Sequence, residues 1–287
     1  MDIKVVYYIC PQIWASRKGR IKNMQKFVDA VIPIFPFEEK IYEKVRMNVF
    51  YAGNPLVDII DEKMQNEAEI FTDGKHLIGL MPGSRMNEIK NILPIFLEVI
   101  SRLIQKYAND FDFSLNNLKF CLILSENIDE KLVRKYIAES GLSNIIEIFY
   151  GPAYKLRRKM RFILTSSGTS SFENFILNVP MMIFYKMDSL SFFIAKLIVK
   201  VKFIGMPNIL AEKMIMPEYI QDINYEKVAE EVYDWIKNDK IINSKKNDLV
   251  NLSIKCGLTN PDNCDANSEN KIIKNISEYV LRICKES

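Results

Sequence analysis

The sequence predicts an α/β fold built on parallel sheets, and two patterns predict it. Short, mostly apolar runs at residues 77–81, 118–124, 145–149, 162–165 and 181–185 alternate with segments of helical periodicity. Alternation of that kind makes a parallel sheet covered by helices on both faces. The helical segment after the first run shows the complementary signal. Ile89, Ile92, Leu93, Phe96, Leu97, Ile100, Leu103 and Ile104 fall on one stripe at steps of three and four, the spacing of a single helix face. Pro94 in that segment marks either a kink or a late helix start.

Taken in order, the chain opens with βαβ-like material. Residues 5–9 form a β-branched and aromatic run, 21–30 read as helix, and 31–35 and 49–52 read as strands. A strand of central character so close to residue 1 leads the sequence to expect further chain ahead of it. Residues 58–73 are polar and acidic with little periodicity and read as a linker or a peripheral helix. The regular alternation follows, and beyond Tyr225 come two amphipathic segments, 228–236 and 272–283, separated by a polar stretch.

Composition bounds the function classes. The chain has 287 residues, 48% hydrophobic and 26% charged, which is enough for one large or two modest folded domains. A net charge of +3, from 39 basic and 36 acidic residues, supplies no field that favours nucleic acid, and no nucleic-acid partner is expected. Cys10, Cys121, Cys256, Cys264 and Cys284 are widely spaced and form no CxxC pair. That pattern argues against a disulfide framework or a structural zinc site and for reduced thiols in the cytoplasm. No basic-then-apolar leader and no apolar run of about 18 residues is present, so the sequence reads as neither exported nor membrane-spanning.

In an open parallel sheet, ligands bind beyond the carboxyl ends of the strands, and two turns there carry candidate chemistry. In the first, Met81-Pro82-Gly83-Ser84-Arg85, Gly83 allows close backbone approach, Ser84 can cap, and backbone amides with Arg85 can hold an anion. Two readings stand: a phosphate site, or a capped turn with a solvated arginine. The second turn runs from Thr165 through Ser166, Ser167, Gly168, Thr169 and Ser170 to Ser171, with Glu173 one helical turn further on. Its amides and hydroxyls suit a diphosphate. Glu173 either complements the helix dipole or accepts hydrogen bonds from ribose hydroxyls. Neither GxGxxG nor GxxxxGK[ST] occurs, which argues against dinucleotide oxidoreductases and P-loop enzymes and favours a nucleoside diphosphate attached to another group.

The run Tyr7-Tyr8-Ile9-Cys10-Pro11-Gln12-Ile13-Trp14-Ala15-Ser16-Arg17-Lys18-Gly19-Arg20, then Phe35-Pro36-Phe37-Glu38, Pro82-Gly83-Ser84-Arg85 with Glu88-Ile89, and 165–173 resembles the lipid-A-disaccharide synthases. The strongest match spans 185–211, including Pro207-Asn208-Ile209-Leu210-Ala211, with Pro217-Glu218 after it. The resemblance implies an inverting glycosyltransferase of the GT-B type. Its carboxy-terminal Rossmann-like domain would be complete, and a remnant of an amino-terminal Rossmann-like domain would precede it. The implied divisions are 1–57 for the acceptor-side remnant, 58–74 for a linker, 75–240 for the nucleotide-sugar domain and 241–287 for a helical tail.

The implied reaction moves 2,3-diacylglucosamine from UDP onto 2,3-diacylglucosamine 1-phosphate (lipid X), forming the β-1,6 disaccharide and UDP. Arg85 and Asn208 carry over as catalytic residues, and Gly83, Ser84, Ser167, Gly168, Thr169 and Glu173 as the UDP-sugar pocket. No metal and no cofactor is implied. The Asp110-Phe111-Asp112 pair reads as a solvated loop, and the lone histidine, His76, as structural. Two departures stand out. The family's glycine-rich loop and essential aspartate lie ahead of the matched region, and Asn54 stands where the family usually has histidine. An inactive UDP-sugar-binding remnant that needs an amino-terminal segment is therefore the alternative reading; a related UDP-sugar epimerase or peptidoglycan-pathway transferase is the third. The segment 189–203, with Phe192, Phe193, Ile194 and Leu197 beside Lys196, Lys200 and Lys202, reads either as a core helix with snorkelling lysines or as a helix at the inner-membrane surface; the acylated substrates that the resemblance implies favour the second, and it also implies a homodimer. Lys155, Arg157, Arg158, Lys159 and Arg161 read as a solvated face.

Overall fold

The computed structural model describes residues 3–11, 13–14, 19–69, 76–108, 117–187, 202–258 and 271–285. The amphipathic segment expected at 189–203 therefore lies, up to residue 201, outside the described residues, as does Asp110-Phe111-Asp112. The chain divides into two compact units, one drawn from residues 1–65, 190–202 and 253–287 and the other from 66–189 and 203–252.

The first unit is a three-stranded parallel sheet, β1 (Val6–Tyr8), β2 (Ala30–Ile32) and β3 (Asn48–Val49), in that spatial order. Helices α1 (Arg20–Phe27) and α2 (Pro36–Glu43) connect the strands, and α3 (Leu56–Asn66) follows. Side chains alternate across β2, and all three of its residues are fully buried. Val31 packs on one face with Cys10, Ile13, Met24 and Tyr42, whereas Ala30 and Ile32 meet Ile276, Tyr279 and Ile283 on the other. The latter three lie on the last helix, Ile272–Lys285, at steps of three and four. That helix is fastened by a Phe50–Tyr279 ring stack at 4.2 Å, by the Tyr279 hydroxyl on Asn48 Oδ1 (3.2 Å), and by the Ile273 amide on Asp58 Oδ2 (2.8 Å).

The stretches expected as linker (58–74) and tail (241–287) both contain helix. The expected linker is mostly helix, nucleated where Asn54 Oδ1 accepts from the Leu56 amide (3.0 Å) and burying Val57 and Ile60. The expected tail contributes its last helix to the first unit because that helix carries the apolar stripe that covers β2.

The second unit is a six-stranded parallel sheet of β4 (His76–Met81), β5 (Leu118–Leu124), β6 (Ile146–Tyr150), β7 (Phe162–Ser166), β8 (Met181–Tyr185) and β9 (Glu218–Ile220). Their order across the sheet is β6-β5-β4-β7-β8-β9. Helices α4 (Met86–Tyr107), α5 (Glu130–Glu139), α6 (Tyr154–Lys159), α7 (Thr169–Ile176) and α8 (Met206–Ala211) connect strands. Two more, α9 (Tyr225–Lys237) and α10 (Asp239–Lys255), follow β9. The helix α4 buries the stripe read from the sequence. Pro94 interrupts it neither as a break nor as a start, because it lies on the exposed face, where the carbonyl it cannot serve can reach water. Packing of α4 beside α9 adds a Tyr107–Tyr233 stack at 3.8 Å and ion pairs from Arg102 to Glu226 (2.5 Å) and from Lys106 to Glu230. The polar stretch between the two late amphipathic segments contains α10, which buries Ile242, Leu249, Leu252 and Ser253. Those apolar positions are too sparse to announce a helix.

The strand order reverses between β4 and β7: the chain moves outward from β4 through β5 to β6, then returns to the other side of β4 as β7. Crevices beyond the carboxyl ends of strands form at such a reversal. Gly79 lies in the middle of β4, between Cys121 of β5 and Ile163 of β7. A Cβ there would lie 2.6 Å from Met160 Sδ and 2.8 Å from Ile163 Cγ1. Gly79→Ala is therefore expected to destabilise the second unit by about 1–3 kcal/mol through overpacking. A denaturant melt showing no loss would mean that Met160 and Ile163 yield freely.

Candidate functional site

Every helix that follows a strand in a parallel sheet begins at the same edge, and its first amides have no partner within the helix. Three such helix starts border the strand-order reversal or lie one strand from it, and the chain treats them differently. At α4, Glu88 turns back on its own N-terminus. Its Oε2 accepts from the amides of Ser84 (2.8 Å) and Arg85 (3.3 Å), and its Oε1 accepts from Arg85 Nη1 (3.0 Å). Gly83 is required on two counts: its φ is +126°, and a Cβ would meet Glu88 Oε2 at 2.4 Å. The loop amides expected to hold a phosphate are thus occupied by a carboxylate of the same chain, while the Arg85 side chain is 80% exposed.

At α8 the arrangement repeats with Glu218 of β9. Its carboxylate accepts from the Gly205 amide (2.9 Å) and the Ile204 amide (3.0 Å), and from Asn208 Nδ2 (2.7 Å). Asn208 is fully buried with its whole amide engaged: Nδ2 also donates to the Met216 carbonyl (2.7 Å), and Oδ1 accepts from the Ile215 (2.8 Å) and Met216 (2.9 Å) amides. Asn208, expected in a catalytic role, here uses both donors and both acceptor positions to hold the 212–217 loop and Glu218 in place.

Among the described residues, the start of α7 carries no such carboxylate. It has no side-chain cap and no acidic residue in its first turn. Ser167 is built into the sheet, its amide on the Phe184 carbonyl (2.9 Å) and its hydroxyl on the Ile204 carbonyl (2.8 Å). Ser171 closes the turn through its hydroxyl on the Gly168 carbonyl (2.7 Å), and Thr165 Oγ1 lies 3.2 Å from Ser170 Oγ. The Thr169 and Ser170 amides precede the first intrahelical acceptor. Among the described residues, a Cβ on Gly168 would meet nothing within 4 Å.

Behind that turn stands a polar cluster. Arg157 of α6 is fully buried. Its Nη1 donates to Glu173 Oε2 (2.9 Å) and the Pro152 carbonyl (3.3 Å). Its Nε and Nη2 both donate to Asn174 Oδ1 (3.0 and 2.6 Å), and Nη2 also reaches the Ser170 carbonyl (3.3 Å). The Tyr154 hydroxyl donates to Glu173 Oε1 (3.0 Å), and the guanidinium lies over the Tyr154 ring at 5.1 Å. Burial pulls the Arg157 pKa down, with Glu173 opposing it; burial and Glu173 together push the Tyr154 phenol up. The start of α6 is itself capped by Glu67, which accepts from the Tyr154 (2.9 Å) and Lys155 (2.7 Å) amides.

The expectation that residues 155–161 form a solvated face is thus corrected. Arg157 and Arg161, four residues apart, share the inward side of this segment. Arg161 donates to the Trp235 carbonyl (2.8 Å) and pairs with Asp239 (2.7 Å), whereas Lys155 and Lys159 pair outward with Glu69. Three further residues that define the site, Tyr154, Arg157 and Asn174, had no functional role assigned in the sequence, and Glu88 and Glu218 entered only as parts of motifs. The i,i+3 spacing of Arg85 and Glu88 is the sequence signal of a helix-start carboxylate; the cluster around Arg157 has none, since its partners are brought together by folding. His76 is exposed at the first position of β4. Among the described residues no group of three or more His, Cys, Asp or Glu could hold a metal ion, and no helix is long and apolar enough to cross a membrane.

Replacing Arg157 by Met leaves Glu173 and Asn174 without their buried donor and is expected to cost about 3–5 kcal/mol. Asn208→Ala orphans the Ile215 and Met216 amides, at about 1–3 kcal/mol for each buried group left unpaired. Denaturant unfolding of both variants measures these losses, and a loss below about 1 kcal/mol in either would show that water replaces the missing partner.

Comparison with known proteins agrees with this architecture. Among solved structures, a UDP-N-acetylglucosamine 2-epimerase superposes with a TM-score of 0.55 at 11% identity, covering 93% of this chain and 60% of that one. An S. aureus MnaA-UDP co-structure gives 0.51 at 15% identity, covering 78% and 56%. At such identities the likeness is one of fold, α/β and GT-B-like. Curated lipid-A-disaccharide synthases are closer in sequence: that of Geobacter sulfurreducens is 30% identical over 260 residues (89% of this chain, 65% of the relative), and that of Persephonella marina 32% over 264 (89% and 68%). The chain thus spans about two thirds of the length of these relatives. The model of the lipid-A-disaccharide synthetase family matches residues 1–267, and the chain belongs to that family.

Proposed function

We propose that the start of α7 binds the uridine diphosphate of a nucleotide-sugar donor, and that the chain serves the lipid-A-disaccharide synthase reaction. The observation that carries this reading is the helix start at the strand-order reversal that no carboxylate of the described residues caps, with Gly168 unencumbered among them and Glu173 one turn behind. The free amides of Thr169 and Ser170 and the helix dipole meet the diphosphate. Glu173 accepts from ribose hydroxyls. Arg85, exposed and tethered to Glu88, reaches the leaving phosphate. Gly83 and Ser84 shape that loop, and Ser167 fixes the second turn to the sheet.

In the reaction, the 6-hydroxyl oxygen of diacylglucosamine 1-phosphate forms a bond to the anomeric carbon of the donor's diacylglucosamine. The bond from that carbon to the β-phosphate oxygen breaks on the opposite face, giving inversion. The electron pair departs with UDP, and the hydroxyl proton passes to a base outside the residues assigned here. Negative charge grows on the β-phosphate as the bond lengthens, so fixed donors aimed there lower the barrier without a cation. Acylated substrates reside in a membrane surface, and the 189–203 segment is the part of the sequence suited to meet it.

Calorimetric titration with UDP is expected to show binding that Arg85→Ala weakens about 10- to 100-fold and Glu173→Gln about tenfold, the loss of one charge-assisted contact in each case. UDP release from UDP-diacylglucosamine and diacylglucosamine 1-phosphate is expected to be abolished by Arg85→Ala. Binding without release would favour the reading of a donor-binding chain that requires a further segment. Binding indifferent to both substitutions, or no binding, would remove the site proposed here.

A further inference from the structure

We propose that Tyr154 and Arg157 are positioning residues that aim the Glu173 carboxylate at a vicinal diol and so make the site prefer ribonucleoside over 2′-deoxyribonucleoside diphosphates. The inference rests on the reading of the α7 start as a donor site.

A glutamate side chain turns about three bonds and presents its carboxylate in many orientations unless something fixes it. Here the two oxygens are held from different directions, Oε1 by the Tyr154 hydroxyl at 3.0 Å and Oε2 by Arg157 Nη1 at 2.9 Å. Two donors on two oxygens fix the plane of the group as well as its position. Both donors are themselves immobile. Arg157 has no exposed surface and spends its other hydrogens on Asn174 Oδ1, the Ser170 carbonyl and the Pro152 carbonyl. Tyr154 is buried at the start of α6, its amide held by Glu67.

Electrostatics select the kind of ligand. A guanidinium does not lose its proton in a protein, and both Glu173 oxygens serve as acceptors of protein donors here. The same guanidinium cancels the carboxylate's charge, so the pair has little net attraction for a cation and little net repulsion for a neutral group. The carboxylate side chain keeps 17% of its surface exposed. Each oxygen has a second acceptor position beyond the one its protein donor uses. A group matching this offer is neutral and carries two donors at the separation of two carboxylate oxygens, as adjacent hydroxyls on a ring do. Removing one hydroxyl leaves one acceptor position unmet, which is where the discrimination arises.

The test compares UDP with 2′-deoxy-UDP by calorimetry on the full chain. The unaltered protein is expected to bind UDP about tenfold more tightly, as one charge-assisted hydrogen bond predicts, and Glu173→Gln to bring the ratio towards one. Tyr154→Phe keeps the ring under the guanidinium but frees Oε1, and is expected to lower the ratio at least threefold. Arg157→Lys keeps the charge but loses the fork that grips Asn174, and is expected to shift the ratio the same way. It serves as the second variant if Tyr154→Phe does not fold. Ile137→Val, a core change of modest cost in α5, is expected to leave the ratio unchanged, so a shift there would mean that destabilisation alone moves it and would overturn the proposal. A ratio moved by Glu173→Gln but by neither Tyr154→Phe nor Arg157→Lys would also overturn it while leaving the donor site in place. Loss of UDP binding by the unaltered chain would instead overturn the donor-site reading on which it rests.

Discussion

A parallel sheet covered by helices gathers unpaired helix amides along one edge, and the second unit is organised by how that edge is satisfied. Each connection runs from the carboxyl end of a strand to the amino end of a helix, so the macrodipoles point the same way and their positive ends converge. Buried amides left unpaired are costly. The chain answers with its own carboxylates: Glu88 at α4, Glu67 at α6 and Glu218 at α8. The first unit uses the same device at α2, where Glu38 accepts from the Ile34 and Phe35 amides and from the Trp14 indole. Against this background the start of α7 differs from those of α4, α6 and α8, since a serine-rich turn and a glycine with nothing of the described residues near its Cβ position occupy the place where those three have a glutamate.

Burying Arg157 behind that turn is expensive in desolvation, and hydrophobic residues of similar volume often serve stability as well as a buried ion pair. What the arginine supplies is geometry. It ties α6 to α7 through Asn174 and Glu173, and Asn174 Nδ2 in turn lies 3.8 Å from Met81 Sδ at the end of β4. The end of β4, at the reversal, thereby touches the same polar cluster. Asn208 does the equivalent for α8 and β9, with every one of its polar atoms used.

The sequence showed the sheet and the two turns well because both signals are local. Residues 77–81 and 181–185 announce buried strands by composition, and Gly83 and Gly168 punctuate strand-to-helix turns. The short β9 and the helix α10 were not legible: β9 has three residues, and α10 spreads its buried apolar side chains thinly. Nor was the packing of Ile272–Lys285 against β2, because a contact between residues 30 and 279 leaves no trace in either segment alone. The site divides on the same line. Arg85, Gly168 and Glu173 belong to turns and could be named, whereas Arg157 looked like one basic residue among five until folding brought Glu173 and Asn174 to it.

The filled and unfilled helix starts also constrain how the proposed diphosphate is held. Glu88 already neutralises the positive end of α4, so a phosphate placed on the Ser84 and Arg85 amides would have to displace a carboxylate held there by two amides and a guanidinium. The α7 amides offer the same electrostatics with no competitor among the described residues, and Glu173 does not stand in the way because Arg157 cancels its charge. In the proposed arrangement Arg85 contributes through its exposed side chain rather than through its backbone, and its tether to Glu88 is of modest strength, as expected for a solvent-exposed pair. A charge held that loosely can shift towards the β-phosphate as negative charge accumulates there, and shift back when the nucleotide leaves.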